Sequence, residues 1–379
     1  MKTITFFISF LFLVFSFIPL TFAQDTKTAV SSEQRLEAIV VNIRDEKVLT
    51  DGGVNRKYQK IELLVTSGEL KNKKIIVENG KAPVINSVEY REKDKVSVSI
   101  TKNPQGTNTY YITDHIRRDS LYLLFGIFVL VTLIIGGLRG IASLLGMVIS
   151  FALIFFFVLP MILKGFDPIL VVIISSALII PITFYLSHGL NKKTTVAVFG
   201  TLIALVITGV LAQFFVDFAH LSGLSSDDAT FLAAAKPGFV QLKGLLLAGI
   251  IIGALGVLDD ITISQSSIVF QLKKTLPKLG IWELFRKGMD IGRDHIASMV
   301  NTLILVYTGA ALPLLLLFVN NPRPFAEVIN YELIAEEIVR TLVVSMGLIL
   351  AVPIVTFIAA VAAEVELKKA AKDILHSLK

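Results

Sequence analysis

Leu121-Tyr-Leu-Leu-Phe-Gly-Ile-Phe-Val-Leu-Val-Thr-Leu-Ile-Ile-Gly-Gly-Leu138 carries no charged side chain from end to end. A helix rises about 1.5 Å per residue, so roughly 20 apolar residues cross a ~30 Å hydrocarbon layer. Runs of similar length follow at Ile141–Leu163, Pro168–Leu186, Thr195–Phe218, Leu242–Leu258, Ala297–Val319 and Ile334–Ala363. The expected fold is an α-helical polytopic membrane bundle of about seven transmembrane helices, the first two joined by a tight Arg139-Gly140 turn. With 54% of its 379 residues hydrophobic, a soluble enzyme is excluded.

Outward from these spans, the N-terminus has the pattern of an export signal over residues 1–23. Lys2 precedes an apolar stretch from Ile4 to Leu20, and Thr21-Phe22-Ala23 places small residues before a cut at Gln24. An uncleaved first helix is the alternative, and either delivers the next segment outside. Residues 24–119 then change pattern, with alternating runs at Glu37–Ile43, Gln59–Val65, Lys73–Val77, Lys95–Ile100 and Thr109–Thr113. Turn signals separate them (Asp51-Gly52-Gly53, Ser67-Gly68, Asn79-Gly80, Asn103-Pro104), so they predict strands. About 80 residues with five short strands point to a small all-β, OB-like extracytoplasmic domain. Its surface is peppered with Lys and Glu, as in a folded spacer or a module that docks an envelope protein partner. The chain has no cysteine, so this domain is held by its core alone.

With the β domain outside, odd-numbered spans run inward. Lys192, Lys193, Lys273, Lys274, Lys278, Arg286, Lys287, Arg293, Lys368, Lys369, Lys372 and Lys379 then fall inside, against mainly Lys164, Lys236 and Arg323 outside. That bias places residues 120–364 as a transmembrane helical domain in a bacterial plasma (inner) membrane and residues 365–379 as a cytoplasmic basic tail. The formal charge of +6 is therefore an orientation signal in a lipid bilayer, and no nucleic acid partner is expected. Leu272–Lys287 alternates basic and apolar residues around Trp282, the pattern of an amphipathic helix on the inner leaflet. Ser225–Ala235 predicts a capped short helix in an outer loop.

Two stretches concentrate polar groups. In Gly249–Ser267, the positions Gly249, Gly253, Gly256, Asp260, Ser264 and Ser267 recur at helical spacing. The glycines are expected to pack closely against another helix, and Asp260 to contact an ion, proton or substrate. Asp259 and Asp260 equally mark the cytoplasmic end of the fifth span. In Gly288–Gly309, Asp290, Asp294, Ser298, Asn301 and Thr308 share a face that leads into the sixth span. Such a ladder has to meet protein or water, as a pathway or as interhelical hydrogen-bonding groups. Arg293 beside Asp294 forms a surface ion pair in the simplest reading. No glycine-rich phosphate loop, His-Glu-x-x-His motif or serine elbow is present. No catalytic residue, metal site or cofactor is expected, and the chain is not expected to be an enzyme.

Gly249–Ser267 with its GALGVLDDITISQSS core, the preceding Leu221-Ser-Gly223-Leu224, and GMDIGRDHIASMVNTLILVYTG at Gly288–Gly309 resemble the YibE/F family of bacterial multipass membrane proteins. The likeness covers Leu121 to Ala363. One departure is visible: where the family commonly has a hydrophobic residue and then one Asp, this chain has the pair Asp259-Asp260, Asp260 being the match. The resemblance implies a transport or envelope role without fixing an activity. The expectation is a secondary-type transporter or permeation protein for an unknown small solute or ion. Its path lies between the fifth and sixth spans, with Asp260 and Asp294 responding to protons or cations. The alternative is a non-transporting scaffold or regulator whose β domain binds an envelope partner; an intramembrane aspartyl hydrolase is a third, weaker reading.

Overall fold

Period-two alternation in the first third of the chain and long apolar runs in the rest become a β-sheet and a set of helices in the computed structural model. It describes residues 34–377 apart from 52–53, 69, 81–87, 103–107, 236–237, 239–240 and 320–322. The expected export signal and the turn signals at Gly52-Gly53 and Asn103-Pro104 lie outside the described residues. The chain divides between Val131 and Thr132 into two compact units.

The five expected strands are all present, as β1 (Gln34–Asp51), β2 (Val54–Val65), β3 (Lys74–Asn79), β4 (Lys95–Lys102) and β5 (Asn108–His115). They form one antiparallel sheet in the order β3-β2-β1-β4-β5. The first strand is much longer than its apolar run because its polar second half still pairs with β2 as far as Asp51↔Val54. Its register slips between Val40 and Asn42 and again between Ile43 and Asp45, and such bulges bend a strand. The bend lets the edge strands β3 and β5 approach each other. Alternate side chains Leu36, Ala38, Val40, Ile61, Leu63, Val65, Ile75, Val77, Val96 and Val98 form the core. Gln59 is buried among them, yet its amide donates to the Tyr90 carbonyl (3.0 Å) and accepts from the Tyr90 N–H (2.9 Å). This pairing satisfies both polar groups and pins Tyr90 in the core.

The second part of the chain is helical: α1 (Arg118–Leu153), a π-helical turn (Ile154–Val158), α2 (Leu159–Leu163), α3 (Pro168–His188), α4 (Lys192–Phe218), α5 (Asp227–Ala235), α6 (Leu242–Thr275), α7 (Ile281–Ala310), α8 (Leu312–Val319), α9 (Phe325–Val328) and α10 (Glu332–Ser377). Five segments among the described residues are long and apolar enough to cross a membrane: 118–163, 168–188, 192–218, 242–275 and 332–368. The sequence predicts about seven, and the difference has two sources. The first two expected spans run on as the single 46-residue segment Arg118–Leu163, and the sixth is a helix with a strongly polar face, interrupted at Ala311.

The first segment is not straight. Gly137 has φ 55° and ψ −135°, a left-handed region that favours glycine. A Cβ on Gly140 would strike the Thr132 carbonyl and lie 3.4 Å from the Thr132 methyl. Eight residues of straight helix separate two positions by about 12 Å, so the chain folds back sharply here. The reversal sits at Gly137, just before the Arg139-Gly140 turn that the sequence predicts.

Helices α4, α6 and α10 pack against one another as the core of this unit, with α3 against α6 and α7 against α10. Small residues permit the close crossings: a Cβ on Gly200 would collide with Val355, and one on Gly347 with Thr208. The amphipathic stretch Leu272–Lys287 is not a separate surface helix. It is the last turn of α6, a bend around Pro277, and the first turns of α7. Lys273, only 4% exposed, holds that bend by donating to the carbonyls of Pro277 (2.9 Å) and Leu279 (2.6 Å) and to Glu364 (2.5 Å). The short helix α5 is where the sequence predicts it, capped by Ser226, whose hydroxyl accepts from the Ala229 N–H (3.1 Å).

Candidate functional site

An apolar helix surface normally closes on its neighbour. Between α1 with its π-helical turn, α3 and α6 it does not, and a cavity of about 200 Å³ remains. Its walls are mostly aliphatic, with Ile154, Val158, Val172, Ile180 and Leu255 among them, but the polar residues Ser150, Ser175, Ser176, Thr183 and Asp259 also line it. Along α3 the lining runs from Val172 to Phe184, a rise of about 18 Å, so the space is elongated, with Asp259 beside its Thr183–Phe184 end. The π-helical turn Ile154–Val158 supplies two of the lining residues. Such turns displace one residue from the helical hydrogen-bond ladder and recur at functional sites.

The hydroxyls are arranged by their own backbone. Ser150 donates to the Gly146 carbonyl (3.0 Å), Ser175 to Val171 (2.6 Å) and Thr183 to Ile179 (2.9 Å). These three have their protons engaged one turn back and keep lone pairs free to accept. Among the described residues no hydrogen bond or ion pair reaches the Asp259 carboxylate.

The polar residues singled out in the sequence are distributed differently. Asp260 is exposed and turned from the cavity, within electrostatic reach of His188 at the end of α3. Ser264 and Ser267 are half-buried further along α6, which continues to Thr275 and so carries Asp259 and Asp260 mid-helix rather than at its end. A Cβ on Gly249 or Gly256 would meet nothing within 4 Å, and one on Gly253 would meet only the Tyr307 hydroxyl at 3.4 Å. Asp290, Asp294, Ser298 and Asn301 all lie on the exposed face of α7. The structure therefore does not bring the α7 stripe against α6. Arg293 pairs with Asp290 (3.1 Å), one turn back, rather than with its neighbour Asp294.

What does join α6 to α7 and α10 is Gln265. Fully buried, it donates to the Gly288 carbonyl and to the Thr356 hydroxyl, both at 2.8 Å. A Cβ on Gly288 would lie 2.8 Å from the Thr356 methyl, and one on Gly292 would lie 2.6 Å from Val352 and 3.0 Å from Gln265. Gly288-Met-Asp-Ile-Gly292 is thus the small-xxx-small crossing of this bundle, a signal present in the sequence at the stretch read there for its acids.

The profile for the family described as YibE/F-like protein matches residues 124–365, well over half of the 379-residue chain. The chain belongs to the YibE/F-like family. The matched span of this YibE/F-like chain runs from α1 into α10, including the cavity and the Gly288–Gly292 crossing, and leaves the β-sheet outside it. Family and apolar helices together make it a membrane protein. No curated protein and no solved structure matches.

Proposed function

We propose that this YibE/F-like protein is a secondary-type transporter or permeation protein for a small solute or ion, with its path through the cavity beside Asp259. The observation that carries the reading is an acidic residue, Asp259, whose carboxylate has no hydrogen-bond or ion-pair partner among the described residues and which lines, with three serines and a threonine, a roughly 200 Å³ space between apolar helices. In such surroundings an ionised group without a partner costs at least several kcal/mol, a cost that a proton or a passing solute or ion offsets. The role is non-catalytic. The reading places the protein in a bacterial plasma membrane, with Arg118–Leu163 crossing twice about Gly137, about seven crossings in all, an OB-like β unit outside and the C-terminus in the cytoplasm. The strand order with β3 near β5 and the inside excess of Lys and Arg support it. The signal segment belongs to the same reading.

Fluxes or currents in proteoliposomes test it. Asp259→Asn is expected to abolish transport by folded protein, while Asp260→Asn and Asp294→Asn retain most of it. Loss in Asp294→Asn with a fully active Asp259→Asn would move the path to the α6–α7 stripe. A second reading, a scaffold or regulator, is favoured by the β unit lying outside the family span. It predicts that deleting residues 34–116 removes function while Asp259→Asn leaves it intact.

A further inference from the structure

We infer that the exposed face of α7 is where two copies of this chain meet in the membrane, as a parallel two-fold pair. Asp290, Asp294, Ala297, Asn301, Ile304 and Thr308 recur at alternating spacings of four and three, a seam of period 3.5, and every one of them is exposed. The seam lies on the side of α7 opposite Gly288 and Gly292, which pack on α6 and α10. Two contacts set its depth. Gln265 donates to the Gly288 carbonyl (2.8 Å), and a Cβ on Gly253 would lie 3.4 Å from the Tyr307 hydroxyl, so α7 runs antiparallel beside α6. Midway between those contacts Ala297 stands level with Asp259, the middle of Leu242–Thr275, and Asn301 lies about 6 Å further along. A polar side chain at that depth has to meet protein or water rather than lipid.

The seam is complementary to itself. Two copies inserted in the same direction about an axis along the membrane normal bring each seam position to its own counterpart. The Asn301 amide both donates and accepts, so it pairs with the same amide of the second copy, and a single Asn in such a seam fixes a register. Lys287 and Arg293 alternate with Asp290 and Asp294, so the carboxylates of one copy face bases of the other and the charges cancel. The apolar stretch Ile4–Leu20 carries neither a charge nor a side-chain amide and offers this face no such partner.

The test uses the full-length chain, which has no cysteine, in its own membranes. On mild oxidation Ala297→Cys and Ile304→Cys are expected to form a disulfide at doubled mass, carrying both tags when two tagged copies are co-expressed. Val306→Cys, exposed on the same helix but off the seam, is expected to stay single. Asn301→Leu leaves the packed face of α7 untouched and is expected to weaken the pair about tenfold, read by fluorescence energy transfer as labelled protein is diluted in proteoliposomes. No doubled mass from either seam variant, or a pair that Asn301→Leu leaves at full strength, would overturn the proposal. A disulfide within one chain, from Ala297→Cys to Ser9→Cys or Ser16→Cys, would give the face to the N-terminal segment and overturn it as well.

Discussion

Asp259 and Asp260 are adjacent in sequence but about 100° apart around a helix, and that rotation decides which of them meets the cavity. The sequence shows that Gly249, Gly253, Gly256 and Asp260 share one face and that Ile252, Leu255, Gly256 and Asp259 share the next. It does not show which face has α3 and the π-helical turn opposite it, because that depends on residues nearly a hundred positions earlier. The carboxylate pair is therefore legible as a place of interest, and the choice between its members is not. A second carboxylate lies in the β unit, where Glu62 is gripped by Arg44 (2.9 Å) and Lys74 (3.1 Å). Hydrogen bonds from Lys74 and then Arg44 hold its carboxyl below the ordinary value near 4.5. Its folded pKa being the lower one, unfolding takes up a proton on acidification. The stabilisation is complete above about pH 4.5 and disappears as the pH falls through the folded value. Amide exchange of β2 and β3, corrected for its intrinsic pH dependence, is expected to accelerate over that window, and more shallowly in Glu62→Gln. Equal acceleration in both proteins would contradict the assignment.

Strands and helices are largely legible, since period-two alternation and long apolar runs are local properties. Their contacts are not. The glycines at 249, 253 and 256 have the spacing of a packing face, yet only Gly253 has any atom within 4 Å of a Cβ position, and that is the tip of Tyr307. Gly288 and Gly292 take the close crossing because Gln265 and Thr356 stand opposite them. Gly292→Val is expected to lower stability by about 1–3 kcal/mol through overpacking, read as a depressed unfolding midpoint in detergent. Gly249→Ala is expected to leave it within about 0.5 kcal/mol, as for open positions generally. The reverse order would show that the glycine ladder of α6 is the true interface. The length of α6 escapes the sequence for a related reason. Asp259 and Asp260 look like the end of a span in a hydropathy profile, but Thr262, Gln265 and Ser266 are buried and hydrogen-bonded to α4 (Thr201, 2.6 Å; the Lys193 carbonyl, 2.8 Å), α7 (the Gly288 carbonyl, 2.8 Å) and α10 (Thr356, 2.8 Å). A helix that finds polar partners inside protein continues where a lipid-facing one would stop.

The arrangement across the membrane turns on the break at Gly137 and on the uneven distribution of Lys and Arg. The chain has no cysteine, so single introduced thiols report on a clean background. Ser120→Cys and Lys164→Cys are expected to react with an impermeant maleimide in intact cells, and Arg139→Cys only after the inner face is opened. Labelling of all three from outside would remove the double crossing of the first segment. The central claim, that solute moves past Asp259, is met most directly by solid-supported-membrane electrophysiology on oriented proteoliposomes, screening alkali cations, protons and small metabolites with Asp259→Asn as the paired control. Transient currents in a gradient of one screened solute or ion that vanish in Asp259→Asn and survive in Asp260→Asn are the predicted result. Currents of equal size in wild type and Asp259→Asn, or silence from both across the whole screen, would contradict it.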